Sequence, residues 1–403
     1  MRSFDAVPDP KFQGNAADSE HRWGPWYHVG FDRAQRALAI PPSAGATRLA
    51  RMRLDHYLTL GRSGLVVSPL CLGTMTFGTD WGWGSDEKAA RAIFDAFVDA
   101  GGNFVDTADL YVGGKSEELL GRFVHERRLR DRVVIATKCS FNAEPRNPNA
   151  GGNGRKNVLR AIEGSLQRLG TDYVDLYFLH DWDMVTPVEE VLRTFDDLVR
   201  SGKVRHVGLS DVPAWYAARY QTLAEQQGAE PLCALQLEYS LVERTIEREH
   251  VPLARELGMG ITPWSPLASG FLSGKYARGD ASGAGRLALV KNSGNPAFEK
   301  FTERNWEILD IVQRVARECG ASAAQVALQW VASRPGIAST LVGATKLAQL
   351  QDNLRALELE LTSDQRAALD TASALPRAHP YMYFAEPFQG MIHGGVPVRG
   401  FRD

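Results

Sequence analysis

The sequence predicts an α/β fold of the closed (β/α)8, or TIM-barrel, type, and three observations carry that prediction. From Cys71 onward, eight short apolar runs alternate with helical patterns over about 300 residues, the length such a barrel uses as one unit. Two of the runs, VVIA (133–136) and VDLYFL (174–179), are almost continuously apolar, as parallel strands covered on both faces require. An open dinucleotide-binding sheet would place GxGxxG after the first strand, and the turn there reads CLGTMTFG (71–78).

Taken in order, YLTLGRSGLVVSPL (57–70) reads as a β-hairpin turning at Gly61–Gly64, placed as a plug in the barrel floor. CLGTM (71–75) is the first barrel strand. It leads to a helix over Ser85–Ala100, capped by Ser85 and stopped at Gly101 and Gly102. NFVDTA (103–108) precedes the helical SEELLGRFVHER, RVVIATK (132–138) precedes NVLRAIEGSLQRLG, and VDLYFLH (174–180) precedes PVEEVLRTFDDLVRSG. VRHVGLS (204–210) precedes PAWYAARYQTLAEQQG, and CALQLEYS (233–240) precedes EREHVPLARELG. GITPWSPL (260–267) leads through a long loop to helices within 298–333, and IASTLVGA (337–344) precedes KLAQLQDNLRALE.

Outside the repeats, residues 1–51 are rich in Pro, Arg and Ala without periodicity and read as a disordered extension. Met52 opens MRLDHYLTLG, so it is expected to be the natural start, with 1–51 an upstream artefact or a dispensable arm. The barrel then occupies 52–376. The aromatic-rich tail 377–403 (RAHPYMYFAEPFQG at 377–390) is expected near the mouth. The Gly- and Ser-rich loop at 268–297 reads as a lid, and the loop at 139–156 as flexible rather than functional.

The totals exclude several classes of function. A net charge of −2 over 403 residues gives no electrostatic case for nucleic acid or an anionic membrane. No apolar run reaches the roughly 20 residues of a membrane span, and no signal core follows the start. Four scattered cysteines without CxxC spacing point to a reducing cytoplasm.

Chemistry in such a barrel sits on the loops after the strands. Those ends supply Asp106, Tyr111 in the following loop, Lys138 and His180. Singly, Asp106 reads as a helix cap or ion-pair residue, Lys138 as a solvated strand end, and His180 as a satisfied polar group. Together they converge on one mouth, which is the pattern of an active site. Lys138 can lower the phenol pKa of Tyr111, Asp106 can hold Lys138, and His180 can position a carbonyl oxygen. Nothing in this set supplies hydride, so a nicotinamide is required. The HDWD run (180–183) suggests a metal-dependent hydrolase as a rival, but the first strand has no histidine and Lys138 would repel a cation; no metal is expected.

Over residues 54–373 the chain resembles the aldo-keto reductases. DTADLYVGGKSEELLG (106–121) matches their DTAxxYGxGxSE signature with Val112 in place of a glycine, and further matches are TK (137–138), DLYFLH (175–180), GKVRHVGLS (202–210), QLEYS (236–240), WSPLASGFLSGKY (264–276) and GATKLAQLQDN (343–353). The resemblance implies a catalytic tetrad of Asp106, Tyr111, Lys138 and His180, with Tyr111 the general acid and NADP(H) the cofactor. It implies Ser210, Asp211 and Gln236 around the nicotinamide carboxamide and Trp264 stacked on its ring. Ser265 and Leu267 would lie at the pyrophosphate, and Gly343, Lys346, Gln349 and Asn353 at the adenosine end. Asp211 in SDVPAW and the tryptophan of HDWD resemble the aryl-alcohol dehydrogenase and norsolorinic acid reductase branch. Phe77, Trp81, Trp83 and Trp182 are expected to line an aromatic-friendly pocket for aldehydes or ketones and the corresponding alcohols. Relatives of this fold also act as potassium-channel β-subunits, so a cofactor-binding regulatory subunit is the alternative.

Overall fold

Alternation along each strand decides which side chains enter the barrel. On β4 (Phe104–Asp106) and β5 (Val134–Cys139), the positions Phe104, Asp106, Val134, Ala136 and Lys138 point one way. Val105, Ile135 and Cys139 point the other and join the core under the helices. The computed structural model describes residues 52–279, 298–385 and 388–396, with Leu287, Gly294 and Val398. Residues 1–51 and most of 268–297 lie outside the described residues, and with them the expectations of a dispensable extension and a lid. The N–H of Met52 donates to Leu357 O at 3.0 Å.

The remaining barrel strands are β3 (Leu70–Gly73), β6 (Val174–Leu179), β7 (Val204–Ser210), β8 (Leu232–Gln236), β9 (Gly260–Ile261) and β10 (Thr340–Val342). All pair in parallel in the order β10-β3-β4-β5-β6-β7-β8-β9. The ring closes between β9 and β10, where Ala338 N donates to Ile261 O at 2.8 Å and Leu341 N to Pro263 O at 2.9 Å. A helix follows nearly every strand, as the periodicity predicts, and two helices (Glu303–Cys319 and Ala323–Ala332) fill the stretch before β10.

One helix start differs from the expectation. The helix after β3 spans Glu87–Asp99 and is capped by Asp86, whose Oδ1 accepts from Ala89 N at 2.8 Å. Ser85 is used elsewhere: its hydroxyl donates to Thr345 O at 3.2 Å, tying the loop after β3 to the turn after β10.

The expected hairpin is present, β1 (Leu58–Thr59) antiparallel to β2 (Val66–Val67). Leu60 and Val67 pack with Cys71, Phe104, Val134, Leu176 and Phe178 in a core separate from that under the helices. The hairpin therefore seals the barrel interior. Gly61 makes this possible: its φ is +61°, and a Cβ there would lie 2.5 Å from Cys233 O and 2.7 Å from Gly258 O. The tail runs past the segment after β8, where Arg248 Nη2 donates to Pro376 O at 2.8 Å and Tyr381 Oη donates to Glu249.

Gly61→Ala is expected to lower the stability of the full chain by about 2 kcal/mol, through both the left-handed backbone and the backbone clash. Urea unfolding followed by circular dichroism checks this; an unchanged midpoint would mean that the plug adjusts freely.

Candidate active site

The inward positions at the mouth ends of β4, β5, β7 and β8 carry Asp106, Lys138, Ser210 and Gln236. Lys138 has no exposed surface. Its Nζ donates to Asp106 Oδ2 at 2.5 Å, to Thr107 O at 2.9 Å and to Tyr111 Oη at 3.3 Å, one acceptor for each ammonium proton. Burial pulls the Lys138 pKa down, but the charge of Asp106, with Tyr111 beside it, outweighs burial and holds the group above the ordinary lysine value. The second oxygen of Asp106 accepts from Gln236 Nε2 at 2.9 Å. Gln236, expected at the nicotinamide, thus has its amide nitrogen on the Asp106 carboxylate.

Tyr111 is delivered by a short turn, Tyr111–Gly114, that leads into the helix Lys115–Glu126. Val112 stands at φ +52° and ψ +41°, a strained conformation for a β-branched residue, directly beside the tyrosine. Two motif residues whose roles the sequence did not disclose fix this turn. Ser116 Oγ donates to Thr74 O at 2.8 Å and lies 3.0 Å from Thr107 Oγ1, joining the loops after β3 and β4. Glu117, fully buried, accepts from Thr137 Oγ1 at 2.5 Å and Arg168 Nε at 2.7 Å, which ties the helix to β5. The spacing between Tyr111 and Lys138 rests on these bonds.

His180 follows β6, and its backbone N–H reaches Cys139 O at 2.7 Å and Ser140 Oγ at 3.0 Å. Its ring stands edge-on to Tyr111 with centroids 5.6 Å apart. Burial first, and the Lys138 charge second, hold its pKa well below the ordinary histidine value, so the imidazole is neutral. Nδ1 is buried without a partner among the described residues. An unpaired buried N–H costs more than a bare lone pair, so the proton belongs on Nε2. Phe141 approaches the same imidazole from another side, with centroids 5.0 Å apart and rings at 86°. The loop at 139–156, read from sequence as flexible, is anchored at this point: Asn153 is fully buried and accepts from Ser140 Oγ at 2.6 Å.

The residues expected at the cofactor divide into two groups. On one side, Trp264 Nε1 donates to Asp211 Oδ1 at 3.1 Å and Ser210 Oγ to Asp211 Oδ2 at 3.2 Å. Burial raises the Asp211 pKa to about 7, opposed by the Trp264 bond and reinforced by the charge of Asp181. In the next loop Ser265, Ala268 and Ser269 all have φ between +50° and +56°, and Ser269 N donates to Ser265 Oγ at 2.9 Å. Leu267 is half-buried against the core. Lys275, which sequence reasoning missed although it lies in the WSPLASGFLSGKY motif, reaches this loop: a Cβ on Gly270 would lie 2.9 Å from its Nζ. Burial alone lowers the Lys275 pKa. On the other side, Gln349 Oε1 accepts from Thr345 N at 2.9 Å, Thr345 Oγ1 at 3.1 Å and Lys346 N at 3.2 Å. Asn353 Nδ2 donates to Gly343 O at 3.5 Å. The strained loop beside the desolvated Lys275 ammonium is a donor set that fits a phosphate, whereas the Thr345 and Lys346 donors already serve Gln349 Oε1.

The four expected pocket aromatics do not form one cluster. Phe77 has no exposed surface and packs on Phe123 at 6.1 Å, so it belongs to the core and lines no open pocket. Trp81 and Trp83 pair with each other at 5.7 Å. Trp182 instead packs on Trp215 at 5.6 Å and Tyr216 at 6.0 Å, and Trp215 is 56% exposed. Of the HDWD run, Asp183 accepts from Asn153 N and Thr186 Oγ1 and serves as a loop cap. No group of three or more metal-ligand side chains occurs among the described residues.

Asp109 is a buried acid outside the tetrad. Its Oδ1 has no partner among the described residues, and burial, then the charge of Glu117, raises its pKa to about 7. The folded chain therefore holds this proton more tightly than the unfolded chain, whose carboxyl titrates near 4. Stability contributed here is present at low pH and lost as pH rises from about 4 to about 7. Asp109→Asn should flatten that slope, gaining on the wild type at pH 8 relative to pH 5 in paired urea titrations. Parallel pH profiles for the two proteins would refute this.

Comparison with known proteins agrees with this geometry. The family model described as "Aldo/keto reductase family" matches residues 69–374. The uncharacterized oxidoreductase YrpG of Bacillus subtilis (strain 168) is 39% identical over 77% of this chain and 93% of its own length. A probable voltage-gated potassium channel subunit beta of Oryza sativa subsp. japonica is 37% identical over 75% of this chain and 92% of its own. An aryl-alcohol dehydrogenase [NADP(+)] of Phanerodontia chrysosporium is 33% identical over 80% and 87%. A barrel with this mouth, matched by the family model over most of its length, belongs to the aldo/keto reductase family.

Proposed function

We propose that the chain is an NADPH-dependent carbonyl reductase that converts aldehydes or ketones, with aromatic or bulky apolar substituents, to alcohols. The observation that carries this reading is the chain of contacts Asp106–Lys138–Tyr111, with a neutral His180 beside the phenol. The NADP(+)-named Phanerodontia relative supports both the cofactor and the aromatic substrate class. No helix of the described residues is long and apolar enough to cross a membrane. The four cysteines are free, which supports a cytoplasmic setting.

In this reading Asp106 and Gln236 orient Lys138, and Lys138 places a positive charge at the Tyr111 hydroxyl. The charge stabilises the developing phenolate, so the proton can pass from Tyr111 Oη to the substrate oxygen. His180 donates its Nε2–H to the same oxygen and holds it at Tyr111; a charged imidazole would compete as the acid, and its low pKa supports proton delivery by the tyrosine. When bound, the nicotinamide supplies the hydride that reaches the carbonyl carbon. Asp211 and Trp264 would face its ring end, Lys275 and the 265–270 loop the diphosphate, and Lys346 with the 343–349 turn the adenosine phosphate.

A second reading, a cofactor-binding channel subunit, is favoured by the rice relative. One experiment separates the two: NADPH consumption with a panel of aldehydes, wild type against Tyr111→Phe. Turnover that falls at least about a hundredfold in the variant, with cofactor binding retained, supports the reductase and its acid. Equal rates would remove Tyr111 from its role, and binding without turnover in the wild type would favour the subunit. Lys275→Met is expected to weaken NADPH binding about tenfold, measured by fluorescence titration, with the loss shrinking at high salt. Unchanged affinity would place the diphosphate elsewhere.

A further inference from the structure

The excursion between β5 and the helix Arg155–Leu169 is drawn shut at its neck. Gly152 N donates to Ser140 O at 2.6 Å, and Ser140 Oγ donates to Asn153 Oδ1 at 2.6 Å. Asn153 in turn donates from its side chain to Asp181 O and from its backbone to Asp183 Oδ2, both at 2.8 Å. The neck is thus bolted to the strand end that carries His180, and His180 N shares the same Ser140 hydroxyl. The residue held next to this junction is Phe141.

Phe141 touches the catalytic imidazole edge-on and yet is 41% exposed. The tetrad members around it are polar and largely buried, and Phe141 offers an apolar face to solvent beside them. Loop filling does not account for it. The excursion's other residues between Asn142 and Gly151 are small, polar or proline, and hydrogen bonds rather than an apolar core close the neck. Its chain neighbours Ser140 and Asn142 are hydrogen-bonded on either side, and the ring rests edge-on against His180.

Reach decides what it can meet. A carbonyl oxygen hydrogen-bonded to His180 lies about 3 Å from the imidazole. The group attached to the carbonyl carbon then extends a few ångströms further, across a ring only 5.0 Å from the imidazole centroid. A flat aryl group at that place can pack edge or face against Phe141, whereas a two-carbon alkyl chain covers little of it.

We propose that Phe141 determines substrate choice, its open face taking the aryl group of an aromatic aldehyde or ketone whose oxygen lies at Tyr111 and His180. The proposal rests on the reductase reading and names the side chain that gives it its substrate class.

The test compares benzaldehyde with propanal for wild type, Phe141→Ala and Phe141→Tyr, with NADPH affinity and melting temperature measured alongside. Phe141→Ala should raise the benzaldehyde KM about tenfold at little cost in kcat, while propanal kcat/KM stays within about twofold. Phe141→Tyr should restore the aryl preference. An equal fall for both aldehydes would mean that Phe141 only braces His180, and an unchanged aryl preference would mean that it faces no substrate; either overturns the proposal while leaving the reductase intact. A wild type that binds NADPH and reduces neither aldehyde nor any of a wider panel overturns both.

Discussion

One buried positive charge organises this molecule. Lys138 is an ammonium without exposed surface, inside a barrel whose other interior positions are largely apolar. Such a charge is tolerated only when every proton has an acceptor and a counter-charge is in contact, and removing the partner of such a pair typically costs about 3–5 kcal/mol. The parallel ladder supplies both. With Asp106 in register opposite Ala136, the lysine two positions on extends over the end of β4 and meets the carboxylate and Thr107 O. The third proton is left to the phenol. Strand pairing, rather than any loop, sets the central distance.

The charge also dictates what its neighbours can be. A second cation nearby is disfavoured, and Lys138 contributes with burial to holding His180 neutral. The acid side is balanced with similar economy: Gln236 takes the free oxygen of Asp106, and Arg168 neutralises the fully buried Glu117. The second half of the DTADLYVGGKSE segment is therefore architecture, a serine that joins the loops after β3 and β4 and a glutamate that ties them to β5 and the helix Arg155–Leu169.

Strands were legible because burial on both faces leaves a plain apolar run, and Asp106, Lys138 and His180 stood out because each closes or directly follows one, with Tyr111 in the loop after β4. What could not be read was direction after a strand has ended. Phe77 and Trp81 sit four residues apart in one loop, yet Phe77 turns into the helix-side core and Trp81 pairs with Trp83. Trp182 stands two residues from His180 in sequence, and its ring partner is Trp215, at the start of the helix after β7. Adjacent capping residues raise a similar ambiguity: Ser85 and Asp86 both suit a helix start, and only the distant carbonyl of Thr345 decides between them. Phe141 lies in a stretch whose glycines and asparagines suggest flexibility, and one of those asparagines, Asn153, closes the neck beside it.

The sealed floor has a consequence for proton traffic. Leu60 and Val67, both without exposed surface, close the barrel from below with an apolar layer that they share with Cys71, Phe104 and Val134. On the proposed chemistry Tyr111 ends each reduction short of a proton. Recharging must then come through the opening by which the alcohol leaves, and in the oxidising direction the surplus proton must depart by the same route. Product release and the rearming of the acid thus share one doorway, and whatever fills that doorway holds the enzyme between cycles.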